Sequence, residues 1–197
     1  MFNRYFSWEK RQAAKMFDLH GKNPGRDRFF AWVARYGLGV GLLVFFLVPA
    51  LRVHFEVEKV PSFSVIFGLP LFLAWLVALI LQFTIRRKRP YEVLHRPAIF
   101  RALADGTSFP SAHTTVSFAI VGWVTVFLDE HRMMGDFKGA IFAQDYALFA
   151  FVFFVACLIS FSRYYIGVHF FSDLVAGAVI GVGVSSVVFQ HILPYLE

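Results

Sequence analysis

Charge is what this chain has least of: 16% of its 197 residues are Asp, Glu, Lys or Arg, against about 25% in an ordinary soluble domain. A soluble fold of this size has no interior large enough for the remaining apolar surface, so a water-soluble globule is excluded. Cysteine is nearly missing as well. The single one, Cys157, lies in an apolar run, which rules out an intrachain disulfide and, because apolar surroundings keep a thiol protonated, argues for packing over a nucleophilic role. Acidic residues do not cluster, so a dinuclear metal site has no donors to build on, and two histidines with one aspartate on separate segments make a weak zinc signature. No metal and no cofactor are expected. Met1 to Arg28 carries charges throughout without an apolar core, unlike a cleavable signal peptide.

What is abundant is apolar and aromatic: 58% hydrophobic residues, 26 of them Phe, and a mean hydropathy of +0.61. These values, with long uncharged runs, place the chain among multi-span helical membrane proteins. The net charge of +6 then points to an anionic membrane surface and not to nucleic acid.

The expected fold is all-α: one polytopic domain over residues 1–197, with five transmembrane helices and an N-terminal interfacial helix, residues 1–28 forming that helix and its linker. From Phe2 to Leu19 the apolar positions Phe2, Tyr5, Phe6, Ala13, Met16 and Phe17 recur at helical spacing with Lys10, Arg11 and Lys15 between them, which predicts a helix lying on the membrane; a soluble helix packed on the loops is the alternative. Gly21 and Asn23-Pro24-Gly25 end it. The spans are expected at Phe29 to Leu51, Val60 to Ile85, Pro110 to Leu128, Tyr146 to Ser162 and Ser172 to Leu196, each near the roughly 20 residues a bilayer requires. Pro110 and Ser111 would open the third, since proline suits a first helical turn. Gly177, Gly181 and Gly183 would permit close helix contact in the last.

An odd number of spans puts the N-terminus, the loop from Arg86 to Phe109 and the segment from Arg163 to His169 on one side. Arg89, Ser111, His113, Arg163, His169 and Asp173 can then meet. Charged and ionisable residues at a membrane boundary cost insertion energy, which marks them as functional. Arginine forks match phosphate oxygens, and a serine at a helix start adds a hydroxyl beside backbone N–H groups and the positive dipole end. His169 and Asp173 are four apart, so on a helix the carboxylate would orient the imidazole. The set reads as a phosphate pocket with acid–base chemistry. His20, His54, His95, His131 and His191 have no comparable neighbours and are expected in loops or interfaces, while Phe170 and Phe171 would face lipid.

Three segments in order resemble the type 2 phosphatidic acid phosphatase superfamily, whose signatures are K-x6-R-P, P-S-G-H and S-R-x5-H-x3-D. Ser162, Arg163, His169 and Asp173 match the third in full. Pro110-Ser111-Ala112-His113 matches the second with Ala112 in place of glycine, which adds a methyl group but keeps the N–H. Arg89-Pro90 matches the end of the first, with Gln82 where the lysine stands; Arg96-Pro97 is a second register, with Arg89 at the lysine position. The resemblance implies His169 as nucleophile forming a phosphohistidine, Asp173 as its orienting carboxylate, His113 as general acid, and Arg89, Ser111, Ala112 and Arg163 as phosphate binders, acting on a lipid phosphate in the bilayer. The short N-terminus and five spans look most like the bacitracin-resistance branch, which resembles an undecaprenyl-diphosphate phosphatase of the bacterial inner membrane. Phosphatidylglycerol phosphate, phosphatidate and lipid A phosphates are alternative head groups, and a non-catalytic lipid-binding or transporter subunit is the alternative of another class.

The side of the membrane has two opposed indications. Lys and Arg concentrate on the motif side, with Arg52, Lys59, Arg132 and Lys138 in the opposite loops, which by the positive-inside rule makes the motif side cytoplasmic. The resemblance implies the outer face.

Overall fold

The computed structural model describes residues 2–53, 60–100, 106–133 and 141–192, with side-chain placement from residue 6 on and outside 48–66, 127–145 and 193–197. Among the described residues every regular element is a helix: α1 (Phe2–Phe17), α2 (Pro24–Val53), α3 (Val60–Ile85), α4 (Pro90–Val93), α5 (Ala112–Met133), α6 (Ile141–Tyr165) and α7 (Phe171–His191). The stretches Pro24–Leu47, Phe67–Val93, Tyr146–Tyr165 and Phe171–His191 are long and apolar enough to cross a bilayer; the described apolar part of α5, Ala112–Val126, is shorter. The chain is thus an integral membrane protein built from helices.

The pairing of α5 with α7 is the most extensive in the bundle; α3 and α6 flank α5, and α2 packs outside α6. Small residues permit the central contact. A Cβ at Gly181 would stand 2.8 Å from the Ala119 nitrogen, and one at Gly177 would stand 2.9 Å from the Ser111 carbonyl. Gly183, expected to share this role, faces open space. Away from the site, Phe67 and Trp123 pack in a tilted pair with ring centroids 4.3 Å apart, within a core that includes Leu71, Ile120 and Phe189. Leu43, Phe83, Phe151, Phe154 and Val179 face outward, as lipid contact requires.

An apolar cavity of about 680 Å³ opens between α2, α5 and α6, lined among others by Gly37, Phe45, Ser117, Val124 and Ile159. Ser117 lies one turn along α5 from His113, on the same helix face.

Several boundaries differ from expectation. The helix expected from Phe29 begins at Pro24, which serves as a helix-starting proline, and α6 begins at Ile141, five residues before the expected Tyr146. Pro110 does not open α5: it follows a cis peptide bond and stays outside the helix, which begins at Ala112. Ser111 takes the capping position, its hydroxyl accepting the Thr114 N–H at 3.5 Å.

Candidate active site

The loop between α6 and α7 is shaped by its own sequence. Gly167 adopts φ +86, a left-handed conformation that glycine enters without steric cost. Its N–H reaches the Tyr164 carbonyl at 3.1 Å while the Val168 N–H reaches Arg163 at 3.3 Å, the paired bonds that close a helix in the Schellman manner. A Cβ here would also stand 2.8 Å from the Phe17 ring of α1. The chain then runs extended through Phe170, and α7 starts with the Phe170 N–H donating to the Asp173 carboxylate at 2.7 Å. The five residues between Arg163 and His169 are therefore the helix stop, and the three between His169 and Asp173 are the next helix start.

His169 is 2% exposed. Its Nδ1 lies 2.7 Å from the Ser108 carbonyl oxygen. A carbonyl only accepts, so Nδ1 carries the proton and Nε2 carries the lone pair. Burial, joined by the Arg89 and Arg163 charges, lowers its pKa to about 4, with Asp173 opposing; the ring is neutral at pH 7. Asp173 Oδ2 is 3.6 Å from Nδ1, beyond hydrogen-bond range. The carboxylate accepts instead from the Ser108 hydroxyl, so it holds the residue that holds the ring. The pairing expected from the spacing of four is present at ion-pair distance but not as a hydrogen bond, because His169 precedes the helix that carries Asp173.

Arg89 is buried at the start of α4, donating from Nε to the Gly106 carbonyl at 3.0 Å, from one terminal nitrogen to Thr107 at 3.2 Å and from the other to Val168 at 3.0 Å. That last nitrogen stands 3.5 Å from His169 Nε2. Arg163, also buried, donates to the Ala34 carbonyl of α2 at 3.3 Å. The Ser111 N–H donates to the Asp173 carbonyl at 3.1 Å, which locks the start of α5 against the start of α7. Ala112 and His113 form the first turn of α5, whose leading N–H groups have no partner within the helix. His113 lies within electrostatic reach of Arg163, His169 and Arg89. The structure thus brings all seven sequence-predicted residues to one end of the bundle.

The alternative register at Arg96 and the departure at Gln82 have local explanations. Arg96 is directed away from this cluster, pairing at 2.6 Å with Asp18 just beyond α1. Gln82 donates to the Pro110 carbonyl at 2.8 Å and accepts the Thr107 hydroxyl on its own carbonyl at 2.7 Å, so it braces the loop leading to Ser111. Phe170, expected to face lipid, is fully buried, 5.9 Å from the Phe6 ring; Phe171 is the exposed member of the pair.

Three further residues belong to the network without having stood out in the sequence. Ser108 has been described. Arg87 donates to Asp173 Oδ1 and to the Ser172 hydroxyl, both at 2.6 Å, and its guanidinium sits 4.3 Å from the centre of the Phe170 ring. Glu9 of α1 receives Arg87 at 2.5 Å and the Ser172 N–H at 3.0 Å. Arg87 was hidden in a basic run that topology alone explains. Glu9 had a signal: it is the sole acid in α1.

Comparison with known proteins bears on the same region. A family model described as the PAP2 superfamily matches residues 63–194. No curated protein matches the chain. In fold the chain is similar to a transmembrane PAP2-type phosphatidylglycerolphosphate phosphatase from Bacillus subtilis, at a TM-score of 0.73 and 18% identity, over 99% of this chain and 89% of that one. It is also similar to LpxE from Aquifex aeolicus at a TM-score of 0.49 and 24% identity, over 90% of this chain and 94% of that one, a likeness on which nothing below rests.

Proposed function

The chain belongs to the PAP2 superfamily and is a phosphoric ester hydrolase, and from that premise we propose that it removes the terminal phosphate of a lipid phosphate or diphosphate, without a metal, through a phosphohistidine. The observation that carries the mechanism is the 2.7 Å contact between His169 Nδ1 and the Ser108 carbonyl, which leaves the Nε2 lone pair beside Arg89. His169 Nε2 attacks phosphorus as the bond to the leaving oxygen breaks, and His113 gives that oxygen its proton, a contribution of about 10² to 10⁴ in rate. Water then attacks the phosphohistidine with His113 as base, releasing inorganic phosphate and restoring the ring. Arg89, Arg163, the Ser111 hydroxyl and the first N–H groups of α5 at Ala112 and His113 bind the phosphoryl oxygens and stabilise the charge that builds on them. Asp173 orients the nucleophile through Ser108.

Residues 1–197 act as one domain with five spans, α5 joining the four longer apolar helices as the third in chain order, and α1 lies at the membrane interface, with residues 1–28 as helix and linker. The apolar cavity that begins at Ser117 accepts the lipid chain, since it starts one turn from His113 and is walled by hydrocarbon side chains. The favoured substrate is undecaprenyl diphosphate in the bacterial inner membrane, as in the bacitracin-resistance branch that the five spans and the absent motif lysine resemble. Phosphatidylglycerol phosphate, the substrate in the name of the Bacillus subtilis protein, is the second reading. The deciding assay measures phosphate release in detergent with EDTA present from undecaprenyl diphosphate, phosphatidylglycerol phosphate, phosphatidate and lipid A. Fastest release from the diphosphate supports the first reading, and equal rates on all four would replace it with a broad lipid phosphatase. Activity that EDTA abolishes, or that His169→Ala retains, would overturn the mechanism.

A further inference from the structure

An amphipathic helix on a membrane surface turns its charges to water, yet Glu9 of α1 has a side chain only 1% exposed. Burying a carboxylate is costly unless it is paired and hydrogen-bonded. Glu9 is both: Oε2 meets Arg87 at 2.5 Å and Oε1 accepts the Ser172 N–H at 3.0 Å, at the positive end of α7. Arg87 uses its other terminal nitrogen on Asp173 Oδ1 and the Ser172 hydroxyl. The guanidinium therefore bridges two buried carboxylates, one on the N-terminal helix and one on the helix that follows the nucleophile.

We propose that Glu9 and Arg87 are positioning residues of the phosphatase reaction, and that α1 is a working part of the active site, completing it through the chain Glu9, Arg87, Asp173, Ser108, His169. The proposal rests on the reading of His169 as nucleophile. Asp173 has several donors to satisfy with two oxygens: Arg87 on Oδ1, and the Ser108 hydroxyl and the Phe170 N–H on Oδ2. Arg87 fixes Oδ1 and so sets the rotation that offers Oδ2 to Ser108. Glu9 fixes Arg87, aided by the Phe170 ring beneath the guanidinium and the Phe6 ring 5.7 Å away. With a neutral amide in place of the Glu9 carboxylate, Arg87 loses its ionic anchor, and both Asp173 and the Ser108 carbonyl gain freedom to leave the imidazole. Neither residue touches phosphate, so the loss falls on turnover and not on substrate binding.

The test compares Glu9→Gln, Arg87→Lys and Asp18→Asn, purified in detergent, with the fastest lipid of the four-substrate assay. Asp18→Asn cuts an exposed tether of the N-terminal region, its pair with Arg96, and serves as the control. Glu9→Gln and Arg87→Lys are expected to lower kcat on the order of tenfold, the loss typical of outer-shell partners, with KM within about twofold of the parent, while Asp18→Asn changes neither. Arg87→Lys keeps the charge but loses the fork that spans two carboxylates, so it reports on the bridge even if Glu9→Gln fails to fold. In an Asp173→Asn background Glu9→Gln should cost nothing more, because its route to the nucleophile is already cut; a helix that only stabilised the fold would give the same loss in both backgrounds. Unchanged kcat in Glu9→Gln and Arg87→Lys, or a full tenfold loss on top of Asp173→Asn, would overturn the proposal. Either result with His169→Ala still inactive would leave the nucleophile in place, which separates failure of the relay from failure of the mechanism.

Discussion

The ring proton of His169 points to a backbone carbonyl, that of Ser108, at 2.7 Å, and the nearby Asp173 carboxylate is 3.6 Å from the same nitrogen. A main-chain acceptor cannot be mutated away, while the carboxylate that secures it can. This division of labour shapes the expected effects of substitutions.

Ser108→Ala keeps the carbonyl and removes only the hydroxyl donated to Asp173, so kcat should fall by roughly tenfold. Asp173→Ala removes the acceptor of Arg87, the Ser108 hydroxyl and the Phe170 N–H together, and each buried donor left unpaired costs about 1–3 kcal/mol. Its kcat should drop further than that of Ser108→Ala and its melting temperature in detergent should fall with it. Equal effects of the two substitutions would mean that Asp173 acts only through Ser108.

His169→Ala should abolish phosphate release, and His113→Ala should slow it by about 10² to 10⁴. Stopping the parent enzyme in alkali during turnover should capture phosphate on histidine, detected by mass spectrometry on the peptide holding His169. Phosphate on His113 instead would reverse the two roles.

Because burial lowers His169 to about 4, its ring stays neutral down to that pH, and under the proposed mechanism its protonation should remove activity only as pH falls through about 4. The same shift affects stability. Unfolded histidine titrates near 6.5, so between about 6.5 and 4 the unfolded chain binds more protons than the folded one, and this group makes stability rise with pH across that window. Thermal unfolding of His169→Gln should depend less steeply on pH over the same window than that of the parent.

Gly181→Ala should lower the melting temperature, since its Cβ meets backbone of α5 that has no room to move; overpacking of this kind costs about 1–3 kcal/mol. Gly183→Ala, which faces open space, should not. A comparable gain in both would show that helix propensity, which favours alanine over glycine, and not the α5–α7 approach, governs this stretch.

A reporter fused after Glu197 should lie on the side of the membrane opposite a tag placed at the N-terminus, as five spans require. Finding both on one side would reduce the count to an even number. The same pair of tags assigns the motif face to the cytoplasm or the exterior.

Much of this protein is written in local sequence. The uncharged run of α3 was bounded correctly at Val60 and Ile85 because a membrane helix satisfies its own backbone, so length and apolarity suffice to find it. The residues gathered at the site were legible for a related reason: charge and imidazole at a membrane boundary stand out against hydrocarbon. Spacing alone found the pair of His169 and Asp173 but not its hydrogen bonds. The two are four apart, but a helix start falls between them and sends the ring to Ser108. Contacts spanning long separations left even less trace: Ser111 against Asp173, Gln82 against Pro110 and, above all, Glu9 against Arg87 join segments that only packing brings together. The sequence by itself determined that the chain is a helical membrane protein with its arginine and imidazole side chains gathered at one end, because hydropathy and a few polar residues are properties of short stretches. Only the tertiary structure decided that the N-terminal helix is tied into that end, because a buried ion pair becomes visible only where two distant segments meet.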